Sequence, residues 1–235
     1  MSVDFADFNG DGQLDLFVSD DGYCSLFANQ GDNIFNEMSY HAGIAQAGGQ
    51  HVGWATAFID FDNDGDKDIF KVNGELKHLY GQEDQLFENV DVEKFNDISV
   101  ESGPHFQQEK VSRGACFGDY DNDGDIDVYI VNLDDYGILL RNDTGNKNNW
   151  LILHLKGTES NRDAIGARVK VTVNGVAHID QKKGGCGYLS QNDPRLHFGL
   201  GAAEIVEKIE IMWPAGKVQV LENIDANQIM VIEED

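Results

Sequence analysis

Residues 119–127 read DYDNDGDID, five carboxylates in nine positions. Asp119, Asp121, Asp123 and Asp127 stand at positions 1, 3, 5 and 9 of this string, and Gly124 stands at position 6, where a tight loop must turn. Hard oxygen donors at that spacing suit a calcium ion, and suit magnesium less because it demands strict octahedral geometry. The string recurs as DFNGDGQLD at 7–15 and DFDNDGDKD at 60–68. The repeated ligand sets are Asp7, Asn9, Asp11, Asp15 and Asp60, Asp62, Asp64, Asp68, with the position 7 carbonyls of Gln13, Asp66 and Asp125 as further donors. Asp, Asn and Gly are also ordinary turn residues. Carboxylates crowded this closely, however, repel by on the order of 1 kcal/mol per pair unless a cation lies among them, and three copies make a fortuitous turn a poor explanation. The expectation is about three calcium sites.

The EF-hand loop shares positions 1, 3, 5 and 6 but closes with a bidentate Glu at position 12. Here position 12 is Val18, Lys71 or Ile130, each inside an apolar run (LDLFVSD, KDIFKVN, IDVYIVN) rich in β-branched and aromatic residues. Those runs predict strands rather than an exiting helix. The loops are expected to be turns between β-strands, closed by the side chain at position 9.

The chain of 235 residues has 42 Asp and Glu against 17 Lys and Arg, a formal charge of −25. Such a surface makes nucleic acid and anionic membrane poor partners. No apolar run reaches the roughly 20 residues of a spanning helix, and residues 1–20 lack the basic start and apolar core of a signal peptide. Cys24, Cys116 and Cys186 are widely spaced and odd in number, giving neither a disulfide framework nor zinc spacing. Weak calcium sites fill only where the ion is millimolar, which points to an extracellular, periplasmic or cell-surface location.

The repeat is longer than the loop. Its period is 53 residues from Asp7 to Asp60 and 59 from Asp60 to Asp119. Segments downstream of the loops echo one another: SLFANQGDNIFNEMSYHAGI at 25–44 and QLFENVDVEKFNDISVESG at 85–103, with ILLRNDTGN at 138–146 starting the same pattern. That length accommodates four short strands, the size of a propeller blade. These repeats, above all ACFGDYDNDGDIDVYIVN, resemble the FG-GAP or VCBS-type repeats of calcium-binding β-propellers such as integrin α-subunit heads. The resemblance covers residues 1 to about 147, as two full periods plus a partial one. A propeller ring needs at least four blades, so the expectation is that further blades precede Met1 in a parent protein.

After the turn-rich connector NDTGNKNNW no acidic loop recurs. WLILHLKG, ARVKVTV, VAHIDQKK, RLHFGLG, VEKIEIMW, KVQVLEN and QIMVIEE follow, with a hairpin expected to turn at Asn174-Gly175. Val169, Val171 and Val173 alternate with Arg168, Lys170 and Thr172, the pattern of a half-buried strand. The fold class expected is all-β, a partial β-propeller over 1–147 followed by a small β-sandwich over 148–235. NWLILHLKGTESNRDAIGARVKV, GGCGYLSQNDPRLHFGLG and WPAGKVQVLENI resemble the ASPIC/UnbV domain, the C-terminal companion of such repeats in cartilage acidic protein-like proteins. The resemblance implies an extracellular or cell-envelope calcium-binding protein; the expected role is that of an adhesion or ligand-binding module, with a protein or carbohydrate as partner.

Two polar clusters are candidate ligand sites: Ser160, Asn161, Arg162, Asp163, and Tyr188, Ser190, Gln191, Asn192, Asp193, Arg195. An aromatic face, amides and a guanidinium suit sugars or carboxylates, although such residues at strand ends also simply fix turns. No catalytic residues are assigned, because no nucleophile elbow, phosphate loop or HExxH motif occurs. The alternative is a calcium-dependent enzyme acting on a small molecule or glycan at the propeller/sandwich junction.

Overall fold

Each acidic loop lies between two strands, and each strand after a loop carries apolar side chains on both faces. That pattern calls for a sheet covered on both sides; the computed structural model provides this in full after the second loop, whereas Tyr129 and Val131 after the third are exposed. The structure describes residues 1–77, 80–92, 94–144 and 147–235. Glu93 of the second echo segment and Gly145 and Asn146 of the connector lie outside the described residues.

The first sheet contains β1 (Val3–Ala6), β2 (Asp15–Val18), β4 (Ser25–Asn29) and β5 (Phe35–Glu37) in that order. Between its strands runs the two-residue β3 (Asp21–Gly22), which pairs instead with the next sheet. A five-residue helix, α1 (Ile44–Gly48), leads to that second sheet: β6 (His51–Ile59), β7 (Asp68–Asn73), β8 (Gln85–Asn89) and β9 (Phe95–Asp97), ordered β3-β6-β7-β8-β9. A 3-10 turn at Pro104–Gln107 precedes the third sheet of β10 (Ser112–Gly118), β11 (Asp127–Asn132) and β12 (Ile138–Leu140). All pairings in these three blade-like sheets are antiparallel.

The blades stack through two apolar layers. Ile69 of β7 joins Phe8, Phe17, Phe58, Phe87 and Phe95 in the layer between the first and second blades. Its neighbours Phe70 and Val72 point the other way, meeting Phe106, Phe117, Val128 and Ile130 in the layer toward the third blade. Alternate residues of one strand thus enter different cores, which is why β7 is buried at all six positions.

The C-terminal strands are β13 (Asn149–Lys156), β14 (Arg168–Val173), β15 (Val176–Gln181), β16 (Leu196–Gly201), β17 (Ile205–Met212), β18 (Val218–Asp225) and β19 (Gln228–Glu233). They form two sheets, β16-β13-β19 and β15-β14-β17-β18. Leu151, Leu153, Leu155, Phe198 and Ile232 of the first face Val169, Val171, Val173, Ile209 and Ile211 of the second around the buried Trp213. The all-β expectation holds, and so does the inward alternation of β14. The expected hairpin is formed: Asn174 and Gly175 both have positive φ (51° and 77°), as a two-residue turn of this kind requires. Where the side-chain pattern could not decide, β13 pairs in parallel with β19, the last strand of the chain.

Candidate metal centres

The three loops fold alike because their side chains satisfy their own backbones in the same way. The position 6 amide donates to the position 1 carboxylate in every copy: Gly12 to Asp7 Oδ2 at 2.9 Å, Gly65 to Asp60 Oδ2 at 3.0 Å and Gly124 to Asp119 Oδ2 at 3.0 Å. These glycines have φ of 87°, 102° and 97°, a region costly for any residue with a Cβ. Position 4 is also left-handed, as Gly10, Asn63 and Asn122.

The position 9 carboxylate ties the loop to its sheet. Its Oδ2 accepts the position 2 amide at 3.1 Å in all three copies, from Phe8, Phe61 and Tyr120. Its Oδ1 accepts the amide of an asparagine at the start of the next turn: Asn29 on Asp15 at 2.7 Å, Asn89 on Asp68 at 2.8 Å and Asn142 on Asp127 at 2.8 Å. These asparagines were not singled out in the sequence, although the repeated FANQ, FENV and LRND strings carry them in register.

Carboxylate oxygens of Asp60, Asp62 and Asp68 lie within 4.8 Å of one another, and so do those of Asp119, Asp121 and Asp127. In the first loop the corresponding third group is the amide of Asn9, between Asp7 and Asp15. Burial is the leading cause of raised pKa values throughout. It lifts Asp15, Asp60 and Asp125 to about 7, with the neighbouring acids adding to it. Asp62 rises to about 6 from burial and Asp64, and Asp68 is held well above the carboxylate range. Asp7, Asp66, Asp119 and Asp127 shift the same way. Among the described residues, two buried carboxylate oxygens, Asp60 Oδ1 and Asp125 Oδ2, have no hydrogen-bond partner. An unpaired carboxylate oxygen sealed from water is costly, and a hard divalent cation is the partner that this donor set fits. Asp11, Asp64 and Asp123 accept the amides two residues on at 2.8, 2.8 and 3.0 Å, which orders the position 5 side chains.

The loops also meet one another and the sandwich. Asn63 Nδ2 donates to Asp125 Oδ1 at 2.9 Å, joining the second loop to the third. Gly199 of β16 donates its amide to Asp60 Oδ2 at 3.1 Å. His197 donates from Nε2 to the Gly124 carbonyl at 2.9 Å, and His178 Nδ1 lies 3.1 Å from the Gly65 carbonyl. Burial keeps His197 neutral by lowering it to about 4, and lowers His178 too. A Cβ on Gly124 would fall 2.0 Å from the Trp150 indole, and one on Gly65 2.8 Å from His178. Glycine at position 6 therefore has a second cause besides its φ in the second and third loops, whereas a Cβ on Gly12 would make only an ordinary contact, 3.5 Å from Ile179.

The two candidate ligand clusters are held by different contacts. Asn161 bonds within its own loop, donating to the Ile165 carbonyl and accepting the Ile165 amide, both at 2.8 Å, while the Arg162 carbonyl accepts from Gly157. Asp163 lies in the same exposed loop. The second cluster lies against the blades. Tyr188 packs edge-on to Trp54 with centroids 4.9 Å apart, Asn192 accepts the Phe117 amide at 3.2 Å, and Arg195 donates to Asn122 Oδ1 at 2.7 Å and to the Asp119 carbonyl at 2.6 Å. Gln191 lines the interdomain cleft beside Arg195. All three cysteines are free thiols.

Comparison with known proteins defines the class of chain. Residues 7–70 match the FG-GAP-like repeat and residues 157–235 match the ASPIC and UnbV family, so the chain carries a segment similar to FG-GAP-like repeats followed by one similar to the ASPIC/UnbV family. Its similarity to named proteins is to cartilage acidic protein 1: 28% identity over 229 residues with the Mus musculus protein and 29% over 229 residues with that of Homo sapiens. The Xenopus tropicalis protein is 29% identical over 224 residues. Each comparison covers 92% of this chain, and the chain spans about a third of the relatives' length (33–34%). Among the described residues no helix is long and apolar enough to cross a membrane.

Proposed function

We propose that the three acidic loops hold calcium as a structural ion and that the chain is part of an extracellular β-propeller serving as an adhesion or ligand-binding module. The observation that carries the calcium reading is the buried, partnerless Asp60 Oδ1, on a carboxylate that burial disfavours in charged form and whose ligand oxygen lies within 4.8 Å of those of Asp62 and Asp68. A cation there relieves the burial penalty and adds to folding by linkage. Calcium at a hundred times its dissociation constant contributes about 2.7 kcal/mol per site. Its partners in each loop are the side chains at positions 1, 3, 5 and 9 and the carbonyl at position 7. The extracellular and binding roles are supported by the repeat class and by the named relatives, and a protein or carbohydrate is the partner in this reading.

The junction between blades and sandwich holds a cavity of about 100 Å³. Apart from the loop residue Asp60, its charged groups are matched: Lys183 to Asp4 at 2.7 Å, Lys67 to Asp180 at 3.7 Å and Arg195 to Asp193. This favours a fixed interface over a reaction centre. Calorimetric titration with calcium, set against equal magnesium and chelator, tests the proposal. Three sites per chain and a melting temperature raised by calcium alone are expected; no binding would reduce the loops to turns.

A further inference from the structure

One position of the repeat breaks its apolar pattern. Position 12 is Val18 after the first loop and Ile130 after the third, but Lys71 after the second. Lys71 shares with Ile69 the face of β7 turned to the first blade, since Phe70 and Val72 take the other face. Its side chain is completely buried. The stem passes over the bare backbone of Gly53 on β6, where a Cβ would lie 2.9 Å from Ser19 Cβ and 3.0 Å from Lys71 Cδ. The amine ends beside α1, where a Cβ on Gly48 would lie 3.3 Å from Lys71 Nζ and 4.0 Å from the Phe87 ring. The two glycines open the slot that the lysine fills.

A buried ammonium needs an acid, yet among the described residues Lys71 Nζ has no hydrogen-bond partner. The two carboxylates that act on it are engaged elsewhere: Asp84 with the Asn73 amide, His105 and Ser112, and Asp97 with Gln85 and Ser99. Burial accordingly pulls the amine toward its neutral form. After burial, the group that acts on it most strongly is Cys24. That thiol is also completely buried, in the same apolar layer as Ile69 and Phe87. It is within reach of Nζ without the orientation of a directed hydrogen bond. Cys24 too is unlike its counterpart: it precedes SLFAN, where Asp84 precedes QLFEN in the second blade. Two departures from the repeat, a thiol and a neutral amine, thus meet across one blade junction.

We propose that Cys24 and Lys71 form a redox cross-link site, in which hydrogen peroxide joins Sγ to Nζ through one oxygen atom and so ties the first blade to the second. The neutral amine is the base for the thiol proton, and the thiolate is the form that peroxide attacks. A first peroxide turns the thiol into a sulfenic acid and leaves as water. A second oxidises sulfenic acid and amine together: the O–H and one N–H break, the O–N bond forms, and two waters leave. Sulfur and nitrogen each lose two electrons, which the two peroxides take up. A direct S–N bond would draw the two atoms well inside contact distance, against the slot that pins the lysine stem. The inserted oxygen keeps them close to where they already lie. Four equivalents of a thiol reductant return the thiol, the amine and water.

The test treats the full 235-residue chain, folded by circular dichroism, with hydrogen peroxide, blocks the remaining thiols, digests without reductant and maps the peptides by mass spectrometry. A linked pair of peptides holding Cys24 and Lys71 is expected, heavier than their sum by one oxygen less two hydrogens, and separated by dithiothreitol. Lys71→Met, which keeps an apolar stem as Val18 and Ile130 do, should abolish the pair, and Cys24→Ala should do the same. The linked chain should melt above the reduced one, as a cross-link restricts the unfolded state, and peroxide should bring no such rise to Lys71→Met. Recovery of Cys24 and Lys71 in separate peptides from the folded chain overturns the proposal. An equal yield of the pair from chain unfolded in urea also overturns it, since the fold would then have no part in the reaction. A pair lighter by two hydrogens, with no oxygen added, would be a direct S–N bond and overturns the oxygen bridge.

Discussion

At the scale of single residues, Asp60 shows how one side chain can be both a liability and a ligand. Its Oδ2 is held by the amides of Gly65 and Gly199, while Oδ1 faces the other acids without a hydrogen bond. Asp60→Asn keeps the shape and one acceptor but removes the buried charge. In chelator the variant should be the more stable by on the order of 1 kcal/mol, since a buried charge without partner is disfavoured. In calcium it should be the less stable by about the 2.7 kcal/mol of a well-filled site. Thermal melts of both proteins in both conditions check this inversion; a variant weaker in both would mean that Asp60 serves packing alone.

At the scale of elements, the second and third loops form a unit. Asn63, left-handed at φ 60°, reaches from one loop to Asp125 of the other, and its own carbonyl accepts from Gly201 of β16 at 2.8 Å. Asn63→Ala leaves a buried carboxylate short of a donor and should cost about 1–3 kcal/mol. It should also weaken calcium binding at the second and third loops while the first keeps its affinity. Site-resolved titration by NMR of the loop glycines Gly12, Gly65 and Gly124 separates the three; equal weakening of all would argue against a local link.

At the scale of the molecule, the buried acids set the pH response. Asp15, Asp60 and Asp125 hold their protons to about pH 7 in the folded chain against 3.8 ordinarily. The folded state therefore binds more protons in that window, and the cation-free protein should gain stability as pH falls from 7 toward 4. His197, lowered to about 4, and His178 act oppositely below 6.5 but are fewer. With calcium the carboxylates are held charged and protons compete with the ion. The gap in melting temperature between calcium and chelator should then narrow as pH falls from 7.5 to 5. A gap independent of pH would show that Asp15 and Asp60 do not hold the ion.

The sequence by itself determined what is local and repeated. Loop positions 1 to 9, the strands that follow them, the alternation Val169, Val171, Val173 and the turn at Asn174-Gly175 all follow from periodicity and backbone sterics, which act over a few residues. The Phe35 and Phe95 segments were visible as echoes, but not that they cap blades. Only the tertiary structure decided that all three loops face the sandwich, with Gly12 against Ile179, Gly65 against His178 and Gly124 against Trp150. It likewise set Tyr188, Asn192 and Arg195 against Trp54, Phe117 and the third loop. Those pairs are separated by 73 or more residues for the hydrogen bonds, and composition is silent about them. Which polar groups meet is fixed by how the sheets stack, since the apolar faces dictate the packing and the polar rims take the partners that packing brings.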